Sequence, residues 1–134
     1  MKQFILRWGP ALAVMGIIFF ASSTSGSDIP DLGFLDFATK KGGHLLGYAL
    51  LGAALLYALK RSNPVSRSGI FKALISAALY AAFDEWHQSF TPGRNPSFQD
   101  VCIDIAGSIL GIAILAYLWK SSRISSRESD RDRD

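Results

Sequence analysis

The sequence predicts an all-α fold, an integral membrane bundle of four transmembrane helices, and three observations carry that prediction. Four apolar runs, at about 8–21, 44–59, 70–86 and 101–119, divide the 134 residues. The stretches 49–59 and 105–119 hold no charged residue, whereas a soluble helical bundle would show charged faces at helical spacing. Basic residues collect between the runs, near their ends and at the chain termini, the pattern that sets orientation in a bilayer. A hydrophobic share of 49% and a positive mean hydropathy agree with a membrane chain forming one domain.

The first run follows Lys2 and Arg7 and ends in Ala21-Ser22-Ser23. Small residues there resemble a secretory cleavage site, but a retained first helix is the preferred reading, since its removal would leave three spans. Pro10 is expected in the first turn or two of this helix, where its missing N–H costs least. A linker of Ser, Thr, Gly, Asp and Pro follows, from Ser22 to Gly33, with turn chemistry throughout. Residues 36–43 then lead into the second run. The connection 60–72 carries Lys60, Arg61, Arg67 and Lys72 and no acid. The connection 87–100 contains Pro92-Gly93 and Asn95-Pro96, which must break helix, and its fixed base is Arg94. The fourth run easily meets the roughly 17–25 residues of a spanning helix, and the other three lie near the lower limit. From Lys120 the chain is rich in Ser, Arg and Asp, so a four-helix domain at 1–120 and a disordered charged tail at 121–134 are expected.

Charge counting places the N-terminus, the middle connection and the start of the tail on the cytoplasmic side of the membrane, with the other two connections outward. Lys40 and Lys41 are outvoted. A net charge of +3 distributed in this way reads as topology and attraction to anionic lipid heads, not as a nucleic-acid surface. Cys102 is the single cysteine, which excludes an intrachain disulfide, and a lone thiol in an apolar helix is read as packing.

Polar residues gather at the outward ends of these runs. Lys41, His44 and Tyr48 are spaced to share one helix face, Asp84 and Gln88 share another with Glu85 adjacent, and Asp100 and Asp104 continue the pattern on the fourth run. Each has a structural reading: interfacial anchoring for His44 and Tyr48, ion pairing for the acids, helix packing for the Gly107-to-Gly111 GxxxG. Their coincidence at one membrane face favours a functional pocket, because ionisable groups at that depth cost several kcal/mol unless paired or hydrated, about +2.5 to +3.5 each on insertion scales. For the same reason Arg94 is expected against Asp84 or Glu85.

Three chemistries remain open. Asp84, Glu85, Asp100 and Asp104 could hold a divalent cation that binds a lipid pyrophosphate. Lys41 and Arg94 could clamp an anionic head group directly. His44 could serve as general acid or base with a carboxylate orienting it. Ser89, Ser97 and Tyr48 are available hydroxyls, yet none lies in a nucleophile motif.

The order Lys41-Gly42-Gly43-His44 with Tyr48, then Asp84-Glu85-Trp86-His87-Gln88, then Phe90, Thr91-Pro92-Gly93-Arg94, and finally Asp100, Asp104 and Gly107 resembles the VanZ-like membrane proteins. Their pattern is approximately K-x-x-H-x-x-x-Y, D-E-x-x-Q-x-F-x-P-G-R and D-x-x-x-[ND]-x-x-G. The Ser22-Ser23 pair also fits. The resemblance runs to about residue 119. One departure is Lys40, where many relatives carry Asp before the Lys, and Asp36 stands one helical turn earlier as a substitute partner for Lys41.

The resemblance implies a bacterial inner-membrane protein of four helices and a name inherited from resistance to the lipid-tailed glycopeptide teicoplanin; it implies no particular reaction. The functional expectation is therefore an outward-facing pocket that binds a lipid-linked or head-group anion of the cell envelope, with membrane lipids or a lipid-linked cell-wall intermediate as partner. A membrane-embedded hydrolase or transferase acting on a polyprenyl or phospholipid phosphate, with His44, Asp84 and Glu85 as its catalytic groups, is the alternative. A small transporter is the third.

Overall fold

The computed structural model describes residues 1–24, 34–60 and 65–131. Most of the turn-rich linker, Arg61 of the middle connection and the last three residues of the tail lie outside the described residues, as does the side chain of Asp36. The chain forms α1 (Lys2–Ser22), α2 (Phe34–Leu59), α3 (Arg67–Gln88) and α4 (Phe98–Arg131). Among the described residues, three helical stretches are long and apolar enough to cross a membrane: Lys2–Ser22, Lys40–Leu59 and Phe98–Ser122.

α3 is not among them, although its 22 residues would reach roughly 33 Å at 1.5 Å per residue. Its mean hydropathy is lowered by Arg67 and Lys72 near its start and by Asp84, Glu85, His87 and Gln88 at its end. Ala73, Ala77 and Ala81 are buried along its inner face, while Phe71, Ile75, Leu79, Phe83 and Trp86 are exposed along its outer one. A stripe of large apolar side chains at helical spacing turned outward, with small ones turned inward, is a helix packed closely in a bundle and facing lipid.

The whole bundle follows that inverted arrangement. Leu12, Ile17 and Phe20 of α1, Leu46 and Leu50 of α2, and Ile114 and Leu118 of α4 are exposed, whereas Ser22, Asp84, Glu85, Gln88, Asp104 and Ser108 are buried. In water such a surface would be a large aggregation-prone patch; in a bilayer it is the expected one. The chain is an all-α membrane protein.

Helices alternate in direction. The Arg7 guanidinium near the start of α1 donates to the carbonyls of Ala58 (2.5 Å) and Lys60 (2.7 Å) at the end of α2, so it satisfies two of the carbonyls a helix C-terminus leaves open. Lys60 Nζ lies 3.7 Å from the Trp119 ring centroid of α4, a cation–π contact at the same end. Ser66 opens α3 by accepting from the Gly69 N–H at 3.0 Å, an ordinary N-cap. Pro10 lies inside α1. The helix begins earlier than the apolar run, so this proline is not in the first two turns as expected and removes an interior hydrogen bond instead. At the other end of the chain α4 continues through Arg131, and no helix break marks the boundary expected at residue 120.

α2 and α4 run parallel and make the closest approach in the bundle. A Cβ added at Gly52 would lie 2.5 Å from the Ser108 carbonyl oxygen, and one at Gly107 or Gly111 would strike the backbone of Leu45 or Ala49. The Gly107/Gly111 pair is thus a packing motif, as its spacing predicts. Gly111→Ala should destabilise the protein by about 1–3 kcal/mol, the usual cost of overpacking, because a backbone cannot rotate away. Gly16→Ala, with open space around it, should be neutral or slightly stabilising. Thermal unfolding of both variants in detergent micelles checks this, and equal melting temperatures would contradict it.

Candidate functional site

The parallel register of α2 and α4 brings polar groups of both helices together at the end of the bundle opposite Arg7. Lys41 forms an ion pair with Asp100, and one turn deeper His44 Nδ1 lies 3.1 Å from Asp104 Oδ1. Lys41 therefore obtains a carboxylate from α4, which supplies what the missing acid before it would have offered. Asp104 is completely buried. Ser108, one turn further, donates to the carbonyls of Asp104 (2.9 Å) and Tyr48 (3.2 Å), fastening the helices below the site.

α1 and α3 bring the other half. Ser22 Oγ donates to Asp84 Oδ2 at 2.9 Å, and Gln88 Nε2, one turn along α3, donates to the same oxygen at 3.1 Å and to Ser22 Oγ at 3.2 Å. The spacing of four between Asp84 and Gln88 serves a contact within the helix as well as a shared face. Glu85 turns toward the start of α4, where its Oε2 accepts from the Ser97 backbone N–H at 2.7 Å. Ser97 is thereby a helix-start residue; its own Oγ accepts from the Gln99 N–H at 3.1 Å.

Arg94 does not meet Asp84 or Glu85. Its Nη2 donates to the Ala21 carbonyl at 3.0 Å and its Nε to the Thr24 carbonyl at 3.2 Å, which makes it the counterpart of Arg7: a cation on the open carbonyls and negative dipole end of a neighbouring helix. The turn before it explains the aim. Gly93 has φ 72° and the Arg94 N–H returns to the Thr91 carbonyl at 3.2 Å, so Thr91-Pro92-Gly93-Arg94 is a type II turn with Pro and Gly where that turn wants them. Backbone carbonyls are an alternative to carboxylates that side-chain spacing cannot reveal.

His44, Asp84, Glu85 and Asp104 each offer a ligand atom, and these atoms all lie within 4.8 Å of one another. Asp100, expected among the carboxylates, is held by Lys41 instead, and His44 takes its place. Within the cluster Asp84 Oδ1, Glu85 Oε1 and Asp104 Oδ2 are buried without a hydrogen-bond partner, as is the Tyr48 hydroxyl. Each carboxylate thus spends one oxygen on a bond that orients it and keeps the other bare.

A cavity of about 250 Å³ opens beside the cluster, its lining mixing the apolar Ile17, Ile18, Ala21 and Gly47 with the polar Ser22, Lys40, His44, Tyr48 and Arg94. His44 belongs to both cavity and cluster. Sequence reading missed Ser108, and also His87, whose Nε2 lies 3.0 Å from Ser23 Oγ and whose ring stacks on Phe19 at 4.4 Å. No spacing rule marks their contacts across the bundle, Ser108 to the Tyr48 carbonyl and His87 to Ser23 and Phe19. Cys102 is exposed on α4 and takes no part in the packed core.

The VanZ/LLP1 family model matches residues 8–120, which include all four helices' apolar portions and every residue of the cluster. The chain belongs to the VanZ/LLP1 family. No curated protein matches it, and neither does any solved structure, so the family's membership gives the setting while the site's chemistry rests on the geometry above. In this VanZ-family chain, Arg94→Ala should lower stability by about 1 kcal/mol through loss of two charge-assisted hydrogen bonds, and Lys72→Ala on the exposed face of α3 should change it by less than about 0.5. Melting temperatures in one detergent compare them, and an unchanged Arg94→Ala protein would remove the capping role.

Proposed function

We propose that this VanZ-family protein works in the cell envelope, in the bacterial inner membrane with both termini cytoplasmic, and that its outward pocket binds the anionic head group of a lipid or lipid-linked cell-wall intermediate. The observation that carries this reading is the mixed lining of the cavity. Ile17, Ile18 and Ala21 suit an acyl or prenyl chain, and Lys40, Arg94, His44 and Tyr48 suit a phosphate or other oxyanion.

Binding at that leaflet changes the lipid heads or surface charge that a lipid-tailed antibiotic encounters, without touching the peptide that glycopeptides recognise. A hydrolase or transferase acting on the bound phosphate is a second reading, favoured by the position of His44, which lines the cavity and belongs to the carboxylate cluster; His44, Asp84 and Glu85 would then be its acid, base or metal-holding groups.

Two measurements follow. In a Cys102→Ser background, a cysteine at Asn95 should react with a membrane-impermeant thiol reagent applied from outside and one at Ser66 should not; the opposite pattern reverses the orientation. Expression in a sensitive Gram-positive host should raise tolerance to teicoplanin, whose acyl tail inserts in the membrane, more than to vancomycin, which has none. His44→Ala or Glu85→Ala should abolish the difference at equal membrane abundance. Equal shifts for both drugs would refute the outer-leaflet mechanism.

A further inference from the structure

The four groups His44, Asp84, Glu85 and Asp104 come from three different helices and converge on one point. Convergence of this kind is unfavourable for bare side chains. Three carboxylates with ligand atoms within 4.8 Å, removed from water and lipid-facing surface alike, need a neutralising charge or protons. The nearest fixed cation along α2, Lys41, is engaged one turn away with Asp100. The hydrogen bonds add a second, independent indication. Asp84 Oδ1, Glu85 Oε1 and Asp104 Oδ2 are buried and unpartnered, in side chains that are 1%, 6% and 0% exposed, although each residue's other oxygen is bonded: to Ser22 and Gln88, to the Ser97 N–H, and to His44. Buried polar atoms are almost always satisfied. Asp84 and Glu85 each have one oxygen held from outside the cluster and the other bare, the way outer-shell groups orient metal ligands, while Asp104 is held by His44 within the cluster and likewise keeps one oxygen bare.

We infer that His44, Asp84, Glu85 and Asp104 form a binding site for one divalent first-row metal ion inside the membrane-embedded end of the bundle. One imidazole with three carboxylates is a nitrogen–oxygen donor set that suits Mn²⁺, Fe²⁺ or Zn²⁺; Mg²⁺ and Ca²⁺ favour oxygen alone, and the cluster has no thiolate to select a softer ion. The ion ties α2, α3 and α4 together where α1 closes over them through Ser22. The Tyr48 hydroxyl, buried in the same region with no partner, is available to a water or anion on the metal. This inference stands on the ligand geometry and not on the head-group reading, so either can fail alone.

The test uses the full chain, purified in detergent, stripped with chelator and dialysed. Titration with MnCl₂, followed by the electron paramagnetic resonance signal of free Mn²⁺, should show one ion bound per chain, and ZnCl₂ should displace it. The bound ion should show nitrogen modulation in spin-echo spectra, and this should vanish in His44→Gln. Asp104→Asn and Glu85→Gln, near-isosteric changes that preserve volume, should each weaken binding more than about tenfold. Asp100→Asn, one turn outside the cluster, should retain wild-type affinity. Monodisperse elution of each variant confirms that it is folded, and the wild-type stoichiometry and nitrogen signal decide the matter even if a variant does not fold. Failure of the folded wild-type chain to bind either Mn²⁺ or Zn²⁺, binding without nitrogen modulation, or equal weakening by Asp100→Asn would overturn the site and leave protons as the neutralising charge.

Discussion

The close approach of α2 to α4 governs the polar end of this protein. Gly52 against Ser108, and Gly107 and Gly111 against the Leu45 and Ala49 backbone, permit a contact in which no side chain intervenes. Between helices in lipid, where no hydrophobic driving force separates core from solvent, such contacts supply dispersion energy and set register. The register then determines the pairs Lys41–Asp100 and His44–Asp104. A slip of one residue along either helix would rotate a side chain by about 100° around it, and the pairs would part. Packing by glycine at the middle of the helices is therefore what makes ion pairing at their ends reproducible.

Two acids of the cluster, Asp84 and Glu85, are held by a second set of polar groups, while His44 and Asp104 hold each other. Ser22, Gln88 and the Ser97 N–H orient the acids of α3, and Ser108 fastens α4 to α2 beneath Asp104. These partners come from α1, α3 and α4 and from the loop before α4, so the site is complete only when the whole bundle has assembled. Arg7 and Arg94 work at opposite ends on the same problem, the open carbonyls of a helix C-terminus in a medium with little water. Neither arginine needs a carboxylate, which leaves the acids of α3 for other work.

Much of this was legible in the sequence. The charge-free stretches and the placement of bases announced the bundle, and the spacings His44–Tyr48, Asp84–Gln88 and Asp100–Asp104 announced polar helix faces at one end, because helical period is a property of the chain itself. Which of two residues on a face meets which neighbour is not. Asp100 and Asp104 are equivalent by spacing, yet register gives the first to Lys41 and the second to His44. Arg94 was expected on a carboxylate because side chains are what a sequence displays; its partners are backbone carbonyls at the end of α1, delivered by a type II turn. α3 looked like the other runs but is not apolar enough over a spanning length, since Arg67 and Lys72 near its start and Asp84, Glu85, His87 and Gln88 at its end leave too short an uncharged stretch between them.

The cavity and the cluster are adjacent but chemically opposite, and that contrast bears on how they work together. Lys40 and Arg94 line the cavity, while Asp84, Glu85 and Asp104 belong to the cluster that shares His44 with it. A bare cluster of acids would repel an oxyanion approaching along the cavity, at an energy that low local polarity makes larger than in water. Neutralising the cluster, by a metal ion or by protons, reverses or removes that repulsion. If the cavity binds the anion proposed above, whatever occupies the cluster would set its affinity, and His44, shared by both, would be the residue that couples the two.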